Sequence, residues 1–306
     1  MQIMIFGGLT FGLLLLASFV GVSIVARIYH LSFNQIASMK PQDFARPELA
    51  GVIKGLLIAN DLGIFILPPL VFAYLADPHP LDYLGVRPVQ KNSFLLIGLL
   101  TMVAAYFAVE LLGSLNEFIV YRLPKSTQQW IMSGEDERNG QMKNILSMKT
   151  PVDLLTTVFL AGALPAIGEE LFFRGILQKL FIQVFKSPWS GIIFTGLLFS
   201  AFHMQFMGFI PRMALGIILG ALYWYSGSIY TSMLGHFIFN TISVFLIYFK
   251  IADMDDKGGM GMGYLVIGLL SLIIVVFLIN YLRKKSTTSY AIVFPPKKEL
   301  TIFDEP

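Results

Sequence analysis

Two adjacent carboxylates sit inside an apolar run: Gly168-Glu169-Glu170-Leu171-Phe172-Phe173-Arg174, with a basic residue closing the segment. A second apolar run carries Phe199-Ser200-Ala201-Phe202-His203, and a third carries His236-Phe237-Ile238-Phe239-Asn240. Charged side chains at bilayer depth are costly and rare, and by default mark a functional site. Spacing sorts these six. Glu170 and Arg174 are one helical turn apart, acid before base, which is the favourable order. In a low-dielectric setting such a pair offsets part of its own desolvation, and Arg keeps its charge there. Glu169 is turned about 100° away from Glu170, so the two cannot share Arg174 in the same way. One glutamate is a structural partner and the other is left for chemistry, as a general base requires.

His236 and Asn240 share a face one turn apart, suited to polarising a carbonyl or stabilising an oxyanion. His203 is suited to orienting a water beside Glu169 or to ligating a metal. Glu169, His203 and His236 would make an acceptable three-ligand zinc set with one open position, so zinc is a candidate cofactor. Pro165 and Gly168 predict a kink and a close backbone approach just before the acids. A lone buried Glu–Arg pair or a lone intramembrane His is ordinarily structural; the conjunction in three apolar segments is what points to function. Asn60 and Asp61, inside an earlier apolar run, are weighed as structural rather than functional. Glu110 and Glu117 read as near-interfacial, Arg212 as interfacial, and His30 and His79 as residues of helix ends or loops.

The elements that must position this chemistry are membrane helices. The chain has 306 residues, 56% of them hydrophobic and only 13% charged, about half the charged share of a soluble domain. A net charge of +3, with dispersed basic residues, gives no case for nucleic acid. The absence of cysteine removes disulfides, thiolate ligands and a Cys nucleophile. Apolar runs of about 20 residues are long enough to span a bilayer. Eight are predicted: about 3–29, 49–75, 94–121, 152–185, 189–203, 211–225, 229–249 and 264–282. The first is too long, and lacks the basic start and cleavage site, for a signal peptide. Lipid forbids unpaired backbone, so these runs are helices, and no ten-residue alternation suggests a barrel. The polar stretch 124–149, including Gly134-Glu135-Asp136-Glu137-Arg138, reads as a solvated loop or surface helix. The tail after Lys285 reads as poorly ordered. The basic cluster Arg283-Lys284-Lys285 suits a cytoplasmic anchor, which with eight spans puts the N-terminus on that side too.

The fold class is therefore all-α, a polytopic bundle of about eight helices around a polar cavity. It divides into N-terminal helices and polar loop (1–150), a chemistry-bearing core (151–249), and a last helix with its tail (250–306). The motifs Glu169-Glu170-x-x-x-Arg174, Phe199-x-x-x-His203 and His236-x-x-x-Asn240 resemble the CAAX protease and bacteriocin-processing family of intramembrane peptidases, also known as Abi proteins. The resemblance covers about 151–249, matches at all six positions, and implies an eight-helix bundle with a water-accessible cavity. It also implies roles: Glu169 activating water with His203, Glu170 with Arg174 bracing that apparatus, and His236 with Asn240 forming the oxyanion side. Metal dependence stays open, between a zinc enzyme and a glutamate-activated water alone. The implied function is an intramembrane endopeptidase acting on a membrane-associated or lipidated peptide or protein. A plasma or inner membrane is the expected location. The competing readings are a non-catalytic membrane scaffold or regulator, and a proton-coupled transporter. The inverted repeats of a transporter are not evident in the sequence.

Overall fold

In a computed structural model the described residues are 1–40, 43–44, 46–251 and 262–294. Among them every regular element is helical, as expected from the composition. Seven helices are long and apolar enough to cross a membrane. They are α1 (Gln2–Ile28), α2 (Pro47–Ala76), α3 (Ser93–Val120), α5 (Pro151–Phe185), α7 (Phe206–Ser226), α8 (Ile229–Tyr248) and α9 (Met262–Lys285). The fifth expected span is the shorter apolar helix α6 (Pro188–Phe202). It ends one residue before His203, which caps it rather than lying inside it. The polar stretch before α5 forms α4 (Lys125–Ile145); the side chains of Asp136 and Glu137 lie outside the described residues.

At the centre, α5, α6, α7 and α8 pack against one another, α3 packs on α7, α8 and α9, and α1 pairs with α2. Many large apolar side chains on the outer helices are exposed, Phe11, Leu96, Ile273 and Phe277 among them. That distribution is what lipid as the solvent selects, since outward apolar surface is then not penalised. The interior is aromatic. Phe172, Phe173, Phe199 and Phe202 meet at centroid distances of 5.1–5.7 Å, with Phe6 and Phe65 against Phe172.

Prolines shape the helices that carry the polar residues. A π-helical stretch, Leu62–Ile66, precedes Pro68 in α2, and another, Val158–Ala163, precedes Pro165 in α5. A proline ring clashes with the carbonyl of the preceding turn and donates no N–H; a wider turn there relieves both problems. A third π stretch, Leu171–Leu177, follows the acids directly, and such bulges recur at functional positions.

The tail differs from expectation. Its residues up to 294 are tied down: Gln90 donates to Thr288 Oγ1 (2.7 Å) and accepts from the Thr287 backbone N–H (3.1 Å). A short helix, Tyr290–Val293, follows. The reason is local polar pairing with the loop before α3, which a composition-based reading does not see. Lys297 and Lys298 lie outside the described residues.

Candidate active site

On α5, Glu170 and Arg174 are both fully buried, and Arg174 donates to Glu170 Oε1 at 2.7 Å. The other arm of the guanidinium donates to the Gly216 carbonyl of α7 at 2.8 Å. One turn on, Gln178 donates to the Gly220 carbonyl at 3.0 Å. These two side chains thus dock α5 on α7 in matching register, and each acceptor is a glycine for a steric reason. A Cβ at Gly216 would stand 2.9 Å from Gly196 Cα, and one at Gly220 would stand 2.6 Å from Gln178 Oε1. The Arg174 guanidinium also lies 4.9 Å from the Phe199 ring centroid, so aromatic faces take part of the place of water.

Glu170 Oε1 serves a second partner. His236 of α8, only 3% exposed, sits with Nδ1 at 3.0 Å from it. A neutral imidazole facing a carboxylate through Nδ1 must donate there, which leaves Nε2 as the acceptor. That Nε2 stands 3.9 Å from Glu169 Oε2. His203 is fixed in the same sense: its Nδ1 lies 2.8 Å from the Phe199 carbonyl, so Nδ1 donates and Nε2 again carries the lone pair. The Phe199 ring lies between the two imidazoles, with centroids at 5.1 Å from His203 and 5.9 Å from His236.

Glu169 is placed differently from its neighbour. Its side chain is 12% exposed, and Oε2 is buried without a hydrogen-bond partner. The glutamates are thus asymmetric: Glu170 is held through Oε1 by Arg174 and His236, its Oε2 being buried without a partner, whereas Glu169 has neither contact and presents an unclaimed acceptor beside His236 Nε2. A gap of 3.9 Å is too long for a direct hydrogen bond. Asn240 lies one turn beyond His236 on α8, half-buried.

The structure therefore brings Glu169, Glu170, Arg174 and His236 together directly, with His203 joined to them through Phe199. His236 consequently belongs with the acids rather than only with Asn240. The trio Glu169, His203 and His236 does not converge as a zinc set: among the described residues no group of three or more His, Cys, Asp or Glu side chains is arranged to hold a metal ion. The two Nε2 lone pairs suit a metal chemically, but their placement does not.

Two residues given little weight in the sequence stand next to this cluster. Asp61, on α2 at the entry to the Leu62–Ile66 π stretch, packs against Gly168: a Cβ there would lie 2.9 Å from Asp61 Oδ2. That oxygen is buried without a partner, and the carboxylate interacts electrostatically with Glu169. Arg212, at the start of α7, is half-buried, donates to the Gln205 carbonyl (3.2 Å) and lies within electrostatic reach of Glu169. The available signal was Asp61 itself, a lone acid in an otherwise apolar run.

Residues 151–242 match the model of the family described as type II CAAX prenyl endopeptidase Rce1-like. The chain is also similar to the uncharacterized protein YpbD of Bacillus subtilis (strain 168), 26% identical over 141 residues, covering 45% of this chain and 68% of that protein. No solved structure matches. The family resemblance carried by the six polar residues is borne out for that segment, which holds all of them.

Proposed function

We propose that this chain, whose residues 151–242 carry the Rce1-like signature, is an integral membrane endopeptidase that hydrolyses a peptide bond of a membrane-associated peptide or protein. The observation that carries the reading is the unclaimed Glu169 Oε2 facing the acceptor Nε2 of His236, beside a Glu170–Arg174 pair sealed from solvent. A water held by Glu169 and His236 donates one O–H to each and turns its lone pair outward. Glu169 takes a proton as the water oxygen adds to the scissile carbonyl, then returns it to the departing amine. Arg174 and Glu170 keep the His236 imidazole in the tautomer that leaves Nε2 free. The Asn240 amide supplies a donor for the oxyanion, and His203 offers a second acceptor across Phe199. No step needs a metal. Rce1-like proteins are described as prenyl endopeptidases, so a lipidated C-terminal peptide is the first substrate class to try, and the plasma or inner membrane the compartment.

The test is cleavage by the purified full chain in lipid nanodiscs. A peptide library, each member with and without a C-terminal prenyl group, would be analysed by mass spectrometry for wild type and Glu169→Gln. We expect product from wild type alone. Equal product from both proteins would sink the mechanism, and a chelator that abolishes wild-type activity would overturn the metal-free route.

A further inference from the structure

A cavity of about 380 Å³ lies at the far end of α5 from the acid cluster. Lys179, which lines it, is ten residues beyond Glu169, about 15 Å along a helix. The walls come from helix ends and loops that all emerge on one face of the bundle: the end of α2, the loop before α3, the turn between α7 and α8, and the tail after α9. Helix ends and loops gathered on one face mark a membrane–water boundary, and Tyr83 with the buried Tyr223 and Trp224 gives the cavity its aromatic lining. Burial and the nearby Asp77 push the Tyr83 phenol up from its ordinary range, so it stays neutral.

Two cations in this wall are held without an acidic partner. The Lys179 amine donates to the Tyr83 carbonyl and lies 5.1 and 6.0 Å from the ring centroids of Tyr83 and Tyr223. Arg87 donates through Nε to the Gly227 carbonyl at 2.7 Å. Among the described residues neither forms a salt bridge. Each therefore spends one donor on backbone, which fixes its head, and keeps the others: two N–H on Lys179 and four on Arg87. Fixed, multidentate cations of this kind suit a phosphate. The same cavity also presents two acids. Asp77, with a 41% exposed side chain, accepts from the His79 backbone N–H, and Asp82 is exposed. An anion alone would be repelled by these, whereas a group carrying both charges satisfies all four. The tail residues Ile292, Val293 and Phe294 add an apolar wall.

We propose that this cavity binds a phosphoethanolamine group, its phosphate on Lys179 and Arg87 and its ammonium on Asp77 and Asp82. The donor is the headgroup of a zwitterionic phospholipid in the adjoining leaflet, and the site is independent of any peptidase activity.

The experiment uses the purified full chain in nanodiscs of dioleoylphosphatidylcholine doped with dioleoylphosphatidylethanolamine or dioleoylphosphatidylglycerol. Bound lipid would be read by native mass spectrometry, and soluble phosphoethanolamine titrated in parallel. Phosphatidylethanolamine should be retained over phosphatidylcholine. Arg87→Gln, at an exposed position where substitution costs the fold little, should weaken retention about tenfold, the scale of one lost charge-assisted contact. Asp82→Asn should narrow the preference over phosphatidylglycerol. Tight binding of the soluble compound, with loss in the same variants, would support the chemistry and assign the occupant to solution. Equal retention of all three lipids, or retention unchanged in both variants, would overturn the proposal.

Discussion

One helix, α5, carries charge into the bundle in two different ways. At Glu170 and Arg174 the charges close on each other: carboxylate, guanidinium and the His236 imidazole form a continuous set of bonds at essentially zero exposure. At Lys179 the amine has only a backbone carbonyl and two aromatic faces, and an open cavity takes the place of a counter-ion. A closed ion pair is rigid and intolerant of losing one member, because the survivor is left uncompensated in low dielectric. A cation beside a cavity is tolerant, because water or a ligand completes it. The first arrangement holds a neighbouring group still, and the second leaves room for something else to bind.

The largest expected effect comes from breaking the closed set. Arg174→Met leaves Glu170 buried with only an imidazole, and should destabilise the bundle by about 3–5 kcal/mol, measured by denaturation in mixed micelles. Arg174→Met with Glu170→Leu should recover a substantial part of that loss, since replacing both members removes the orphaned charge. If the double variant is no better than the single, the pair is not the closed unit described.

Glu169→Gln tests the other half of the same turn. Because Glu169 Oε2 has no partner to lose, stability should stay within about 0.5 kcal/mol of wild type. On the proposed function, cleavage should fall by about a hundredfold or more. A large stability loss with unchanged cleavage would reverse the roles assigned to the two glutamates.

That geometric division is legible in the sequence: the four-residue spacing of Glu170 and Arg174, and the rotation of Glu169 away from both, follow from helical geometry. The helical class and the spans were legible too, because lipid leaves apolar runs no other backbone solution. Three-dimensional pairing was not. His236 and Asn240 lie one turn apart, yet only tertiary packing brings the His236 ring to Glu170, on a helix 66 residues earlier. Asp61 is separated from Gly168 by more than one hundred residues, and nothing in its own run reports that approach. A segment apolar to its end predicts His203 inside the helix, whereas α6 stops at Phe202.

A smaller effect should follow from Gly216→Ala. The new Cβ would meet Gly196 Cα at 2.9 Å and its carbonyl oxygen at 3.2 Å, and backbone cannot move aside as a side chain end can. Separating α6 from α7 there also pulls the carbonyl that Arg174 uses. Overpacking of this kind costs about 1–3 kcal/mol. Thermal unfolding should show that loss, and the drop should be smaller in an Arg174→Met background, where the carbonyl has no guanidinium to lose.

The smallest effect should be at the open end. Lys179→Met keeps the aliphatic stem that packs between Tyr83 and Tyr223 and removes one hydrogen bond and the cation–aromatic attraction, each worth about 1 kcal/mol or less. It also removes a desolvated charge, which offsets part of that loss. Thermal unfolding should therefore change by no more than about 1 kcal/mol, several times less than for Arg174→Met, five residues nearer the acids on the same helix: one cation is sealed, the other is not. A loss as large as that of Arg174→Met would mean that Lys179 is a structural ion with a partner of its own, and the contrast between the two ends of α5 would fail.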